Sequence, residues 1–283
     1  MTTLVAGLRR VAARPPLRGL LKHPRVEPVV STMLRSSVVH GSTRFVLREW
    51  FARGRVGRYR LRHADFDVLI RHGTPDAATL DEVFYRRDYD FPFQVRAALE
   101  ALGRPPLVVD LGANIGLFDL WVLAWVPEAE IVAFEPDPAN LVVLRENISL
   151  NDHPGGWDVV PAAASTRDGT VPFAAGGVSL SRISQGKGTR PVRAVDVFPY
   201  LERADLIKID IEGGEWPILS DERFAALRPT ALVLEFHPHM APSGDPRHAA
   251  VELLRRTGLE IAAGVDYGPG QGMLWAWREG DSS

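Results

Sequence analysis

The chain has 283 residues, a hydrophobic fraction of 46% and a formal net charge of −2. That content is ample for a packed core and argues against disorder; the absence of cysteine excludes disulfides and thiolate metal sites and fits an intracellular, cytoplasmic protein. No apolar run approaches a membrane span, and arginines scattered through Met1–Arg25 set that segment apart from a secretory signal.

Residues 1–62 carry 14 Lys and Arg against two acids, Glu27 and Glu49, although only three lysines occur in the whole chain. A basic arm for nucleic acid or an anionic membrane is one reading. A solvated extension in an arginine-rich sequence accounts for it better, because few aromatics interleave the basic residues. Spacing predicts a short amphipathic helix over 4–13 through Leu4, Leu8 and Val11, ended by Pro15-Pro16, and another helix over 43–53. Arg58–Arg62 and Phe66–Arg71 read as a small hairpin, and 79–85 and 93–102 as helices. The expected division is an extension over 1–62, a lead-in over 63–104 and a main domain over 105–278.

From residue 107 strands and helices alternate, the signature of a parallel α/β sheet. Strands are expected at 107–110, 130–134, 157–161, 206–209 and 231–236, with helices at 115–126, 138–150, 195–203, 216–227 and 247–257. Segments 259–263 and 272–277 look like a closing antiparallel pair, and 165–194 like a hairpin with substrate-facing loops. Seven mostly parallel strands fit the class I methyltransferase (Rossmann-like) fold better than a six-stranded dinucleotide fold. Asp137-Pro138 reads first as a helix cap.

Two stretches carry the chemistry. Asp110-Leu-Gly-Ala-Asn-Ile-Gly116 closes a buried strand and opens a helix around Gly112 and Gly116, and Glu135 ends the next strand 25 residues after Asp110. An acid there is placed to hold both hydroxyls of a ribose, which indicates an adenosine-containing cofactor. A pyrophosphate would need a third glycine, which is missing, and Asp110 would repel it. The same acid suits the cationic amino group of S-adenosylmethionine, and Asn114 belongs to the same turn.

Lys208-Ile-Asp210-Ile-Glu212-Gly-Gly-Glu215 is the second stretch. Alternation along a strand points Lys208 and Asp210 the same way, at the carboxyl edge where open α/β sheets bind ligands. A Lys208–Asp210 structural ion pair, with Glu215 as a helix-start acid, is the plain alternative. His237 follows the next strand and is a candidate general base by its intrinsic pKa. Asp210, Glu235 and His237 could also hold a divalent metal, but Lys208 would compete with a cation, so no metal is favoured.

Together these stretches resemble the FkbM family of S-adenosylmethionine-dependent methyltransferases. The resemblance rests on Val108–Phe118, Phe134-Glu-Pro-Asp137, Leu206–Glu215 and Leu234-Glu-Phe236, with Glu82-Val-Phe84 and Asp88-Tyr89 upstream, and it covers about residues 66 to 277. Residue 214 is glycine where the family usually has alanine. The resemblance implies an O-methyltransferase acting on hydroxyls of natural products, sugars or glycolipids. It makes Asp110, Gly112, Asn114, Gly116 and Glu135 cofactor residues, sets the backbone near Ala163 beside adenine and closes Tyr89 over the cofactor. It also places Lys208, Asp210 and Glu212 at the border of the methyl-transfer site.

The expected reaction is direct, in-line methyl transfer to a small-molecule hydroxyl, with Asp210 or His237 as base and Lys208 tuning the carboxylates. A nucleic-acid methyltransferase is the nearest rival, but acidic residues after the fourth strand would repel phosphates, so no nucleic-acid partner is expected. A non-catalytic cofactor-binding scaffold and a nicotinamide oxidoreductase are further alternatives. The sequence does not identify the acceptor or the oligomeric state.

Overall fold

The computed structural model describes residues 27–174, 182–183 and 189–279. The helix expected at 4–13 and the glycine pairs at 176–177 and 186–188 lie outside the described residues. The chain divides into two compact units, Met1–Tyr89 and Asp90–Ser283. The expected divisions at 62/63 and 104/105 do not coincide with that boundary. The first cuts between two paired strands.

In the first unit, α1 (Glu27–Arg35) and α2 (Ser42–Phe51) precede an antiparallel hairpin of β1 (Val56–Arg60) and β2 (Asp67–Arg71). Helix α3 (Asp76–Leu80) continues into a wider, π-helical turn over Asp81–Arg86. Tyr59, His72 and Glu49 tie this unit together: Tyr59 Oη lies 2.7 Å from His72 Nε2, and His72 Nδ1 lies 2.8 Å from Glu49 Oε2. Helix α1 has no counterpart in the expected elements.

The second unit begins with α4 (Phe93–Glu100) and then builds the main sheet. Its strands are β3 (Leu107–Leu111), β4 (Glu130–Phe134), β5 (Trp157–Val160), β10 (Leu206–Ile209), β11 (Ala231–Phe236), β12 (Glu260–Gly268) and β13 (Gln271–Trp277). Between β5 and β10 lie β6 (Ala163–Ser165), β7 (Gly169–Ala174), β8 (Arg182–Ile183) and β9 (Thr189–Asp196), in a separate four-stranded sheet. The main sheet has the order β12-β13-β11-β10-β3-β4-β5; β13 is antiparallel to β11 and β12, and the other neighbours are parallel. This is the seven-stranded class I methyltransferase arrangement. Its central strands read as unbroken apolar runs because helices cover both faces, and every residue of β10 is buried.

Five helices follow β3, β4, β10 and β11. Helix α5 (Leu117–Trp125) ends ahead of Pro127, and α6 (Pro138–Ser149) starts on Asp137, whose side chain accepts from the Ala139 N–H at 2.8 Å. The single helix expected at 216–227 is two, α8 (Glu215–Ser220) and α9 (Glu222–Ala226). Asp221 adopts extended backbone between them and caps the second by accepting from the Arg223 N–H. The helix expected at 195–203 shrinks to α7 (Phe198–Leu201), because Val195 and Asp196 continue β9 and pair with β6. Helix α10 (Pro246–Arg256) packs against β11 and β13.

Candidate active site

Parallel register brings the two motifs together. Ile209 pairs with Leu111 on one side and Leu234 on the other, so Asp210 leaves β10 between Gly112 and Glu235. The turn after β3 is tight there. Gly112 has φ +93°, and a Cβ on it would lie 1.9 Å from the Asp210 carbonyl oxygen. Only glycine meets both demands. Asn114 (φ +52°) and Gly116 (φ +83°) also adopt left-handed backbone, so the chain can reverse from β3 into α5 within five residues.

Glu135 locks this turn. One carboxylate oxygen accepts from the Asn114 N–H at 2.9 Å and the other from the Asp137 N–H at 2.6 Å. Burial pushes its carboxyl up from an ordinary 4.5 to about 8, against the pull of those two donors. Ala163 sits at the start of β6, buried and level with Ala194.

Lys208 and Asp110 are cross-strand partners, and the lysine Nζ donates to Asp110 Oδ1 and to the Gly112 carbonyl, each at 2.9 Å. Asp210 Oδ2 is farther, at 3.8 Å. The structural pair of this stretch is thus Lys208–Asp110, not Lys208–Asp210, because alternation fixes the face but the neighbouring strand supplies the nearer carboxylate. Burial works against the ammonium, yet Asp110 and Asp210 outweigh it and hold the lysine pKa above its ordinary value. Asp110 is wholly buried and held by Lys208, and burial pushes its carboxyl up against the pull of that lysine. Asp119 in α5 is equally buried. Burial and the neighbouring Asp110 charge push its carboxyl well above the usual range.

Asp210, Glu212 and His237 converge: one donor atom from each lies within 4.8 Å of the others. Glu212 adopts φ +53°, which turns its carboxylate toward Nε2 of His237 at 3.3 Å. Glu235 is 3.7 Å from the same nitrogen and accepts from Gln271 Nε2 at 3.0 Å. Fully buried Glu215 reaches back from the start of α8: one oxygen accepts from the Gly213 N–H at 2.7 Å and the other from the His237 N–H at 2.8 Å. Burial opposes charge on the histidine, but Glu215, Asp210 and Glu212 together raise it from 6.5 to about 9. The carboxylates thus favour the protonated ring at neutral pH. The three-residue metal-ligand geometry also includes Glu212 where Glu235 was expected.

A groove of about 330 Å³ runs over the face of β3–β5 past Val109, Val132, Val160 and Tyr200, and none of the strand-end residues above line it. Tyr89 is buried in the first unit.

Residues 110–259, more than half of the chain, match the methyltransferase FkbM domain. The chain belongs to the FkbM methyltransferase family. Methyltransferase sdnD of Sordaria araneosa is 32% identical, over 47% of this chain and 67% of that protein. Methyltransferase 1 of Beauveria bassiana is 28% identical, over 40% of this chain and 56% of its own length. Among solved structures, precorrin-6y C5,15-methyltransferase of Geobacter metallireducens has a TM-score of 0.37 at 21% identity, covering 65% of this chain and 87% of that one.

Within this FkbM methyltransferase, the sequence assigns Asp119 no role, and for Glu215 it indicates the helix start but not the bond back to His237. Asp119 looks like an ordinary helix-start acid, and Glu215 like a charge at the mouth of α8. The one available signal was Asp119's place in an otherwise apolar helix, where an unpaired carboxylate is costly.

Proposed function

We propose that this methyltransferase moves the methyl group of S-adenosylmethionine onto a hydroxyl oxygen of a small molecule. The observation that carries the proposal is the contact of the two motifs: the Gly112 turn packs on the Asp210 carbonyl, so a cofactor held by that turn presents its methyl group to the Asp210–Glu212–His237 cluster. Gly112, Asn114 and Gly116 give the backbone approach, Glu135 takes the ribose hydroxyls and Ala163 flanks the adenine. Lys208 fixes the turn by joining Asp110 to the Gly112 carbonyl.

The sulfonium supplies the methyl electrophile, and the protein must orient the acceptor and remove its proton. Asp210 is the base, because it is half-exposed at the strand end while His237 already carries a proton. The acceptor oxygen bonds to the methyl carbon as the carbon–sulfur bond breaks, and the hydroxyl proton passes to Asp210. Methyl-labelled cofactor incubated with the protein and an extract of its source should yield a labelled methyl ether. Label carried on nitrogen or carbon would refute the oxygen assignment. Asp210→Asn should lower kcat by roughly 10²–10⁴-fold while cofactor affinity is kept.

A further inference from the structure

We propose that Asp210, Glu212 and His237 form a binding site for one first-row divalent cation. Three observations point to it. Their donor atoms lie within 4.8 Å of one another, which a single ion can bridge. His237 is more than nine-tenths buried, and its Nε2 faces Glu212 and Glu235 without a hydrogen-bond partner. A buried ring nitrogen aimed at carboxylates is costly unless something fills the gap.

The third observation is the support behind the ring. Nδ1 of His237 lies 3.2 Å from Glu215 Oε1, and the same oxygen accepts the His237 backbone N–H. An ion entering the cluster would displace the proton from Nε2, and with Nδ1–H donated to Glu215 the freed lone pair then faces the ion. A carboxylate behind the distal nitrogen is how proteins orient a metal-binding histidine and raise its basicity. Glu215 is fully buried and fixed by the Gly213 N–H as well, so the ring has little freedom to turn.

Lys208 does not occupy the site. Its nearer partners are Asp110 and the Gly112 carbonyl, and it stands 3.8 Å from only one Asp210 oxygen. Two carboxylates then balance a dication, and an imidazole among the ligands favours manganese, cobalt or zinc over calcium. Three protein ligands leave positions open for an acceptor oxygen, which the ion would orient and acidify before methyl transfer. That use of the ion rests on the proposed O-methyl transfer; the site itself does not.

The test is Mn²⁺ titration of the full, chelator-treated chain, read by loss of the free-ion paramagnetic resonance signal. One Mn²⁺ should bind per chain. Affinity should fall at least tenfold in His237→Gln and in Glu212→Gln, and roughly 10–100-fold in the positioning variant Glu215→Gln. Co²⁺ should give a visible absorption band that His237→Gln shifts or removes. S-adenosylhomocysteine binding by each variant checks that it is folded. Absence of saturable Mn²⁺ and Co²⁺ binding to the wild-type chain overturns the site, as does binding that survives unchanged in both His237→Gln and Glu212→Gln. Tight metal binding without methylation of any hydroxyl would leave the site standing and refute the proposed reaction instead.

Discussion

Lys208→Met tests how the cofactor turn is held. Methionine keeps most of the lysine's apolar stem, so the change removes the charge with little cavity. Asp110 Oδ1 loses its donor, and Oδ2 already has none. Asp119 beside it is a second buried carboxyl, so no other cation takes up the charge. Breaking a buried ion pair from one side costs about 3–5 kcal/mol. The orphaned Gly112 carbonyl adds about 1 kcal/mol. Lysine loss should therefore destabilise the protein by about 4–6 kcal/mol at pH 7, a large fraction of a typical domain's stability. Urea unfolding followed by tryptophan fluorescence measures it, with an unchanged m-value showing that the same transition is being read. The penalty should shrink as pH falls, because the stranded Asp110 can then take a proton in the folded state. Adding Asp110→Asn to Lys208→Met should recover about 2 kcal/mol or more relative to the sum of the single changes. A Lys208→Met protein within about 1 kcal/mol of the wild type, or a cycle additive within about 0.5 kcal/mol, would refute the pairing argument.

Three further outcomes are expected. Gly112→Ala should cost about 2–4 kcal/mol and abolish S-adenosylhomocysteine binding in calorimetry, since the new methyl meets the Asp210 carbonyl and the backbone is left-handed; Gly156→Ala, with open space around it, should stay within about 0.5 kcal/mol. Glu135, raised from 4.5 to about 8, holds its proton more firmly in the folded state, so its stabilising contribution is present below the unfolded value and is lost as pH rises through about 8. Ribose hydroxyls favour its anion, so S-adenosylhomocysteine binding should release protons and tighten between about pH 6 and 9, as calorimetry in buffers of different ionisation enthalpy would reveal, and Glu135→Gln should flatten that dependence. Glu215→Gln sets an amide N–H against a backbone N–H and should lower stability by about 1–3 kcal/mol in thermal unfolding; an unchanged Tm would show that the bridge between Gly213 and His237 carries no weight.

The succession of strands and helices, the glycine turn and the acidic strand ends were legible in the sequence because each depends on local rules. Leu107–Leu111, Leu206–Ile209 and Ala231–Phe236 are apolar runs that only a two-sided sheet buries, and Gly112 and Gly116 mark backbone that other residues resist. Elements failed where a short-range signal had two meanings. Asp221 splits a helical pattern because a cap and a helix-interior acid look alike from spacing, and the helix expected from 195 lost its start because Val195 and Asp196 pair with Ala164 and Ser165.

What the tertiary structure alone decided is the partnership of charges. The sequence set Lys208 and Asp210 on one face, but the neighbouring parallel strand presents Asp110 at 2.9 Å, and the nearer carboxylate takes the lysine. Glu215 lies three residues from Glu212 in sequence, yet it reaches back to His237 on another strand and helps to keep that ring charged. Coulomb energy inside a protein depends on distance and burial, and both are set by register between strands about a hundred residues apart in the chain. Sequence alone therefore fixes which ionisable groups gather at the edge of the sheet. Which of them are neutral, paired or open to a ligand is settled only when the strands align.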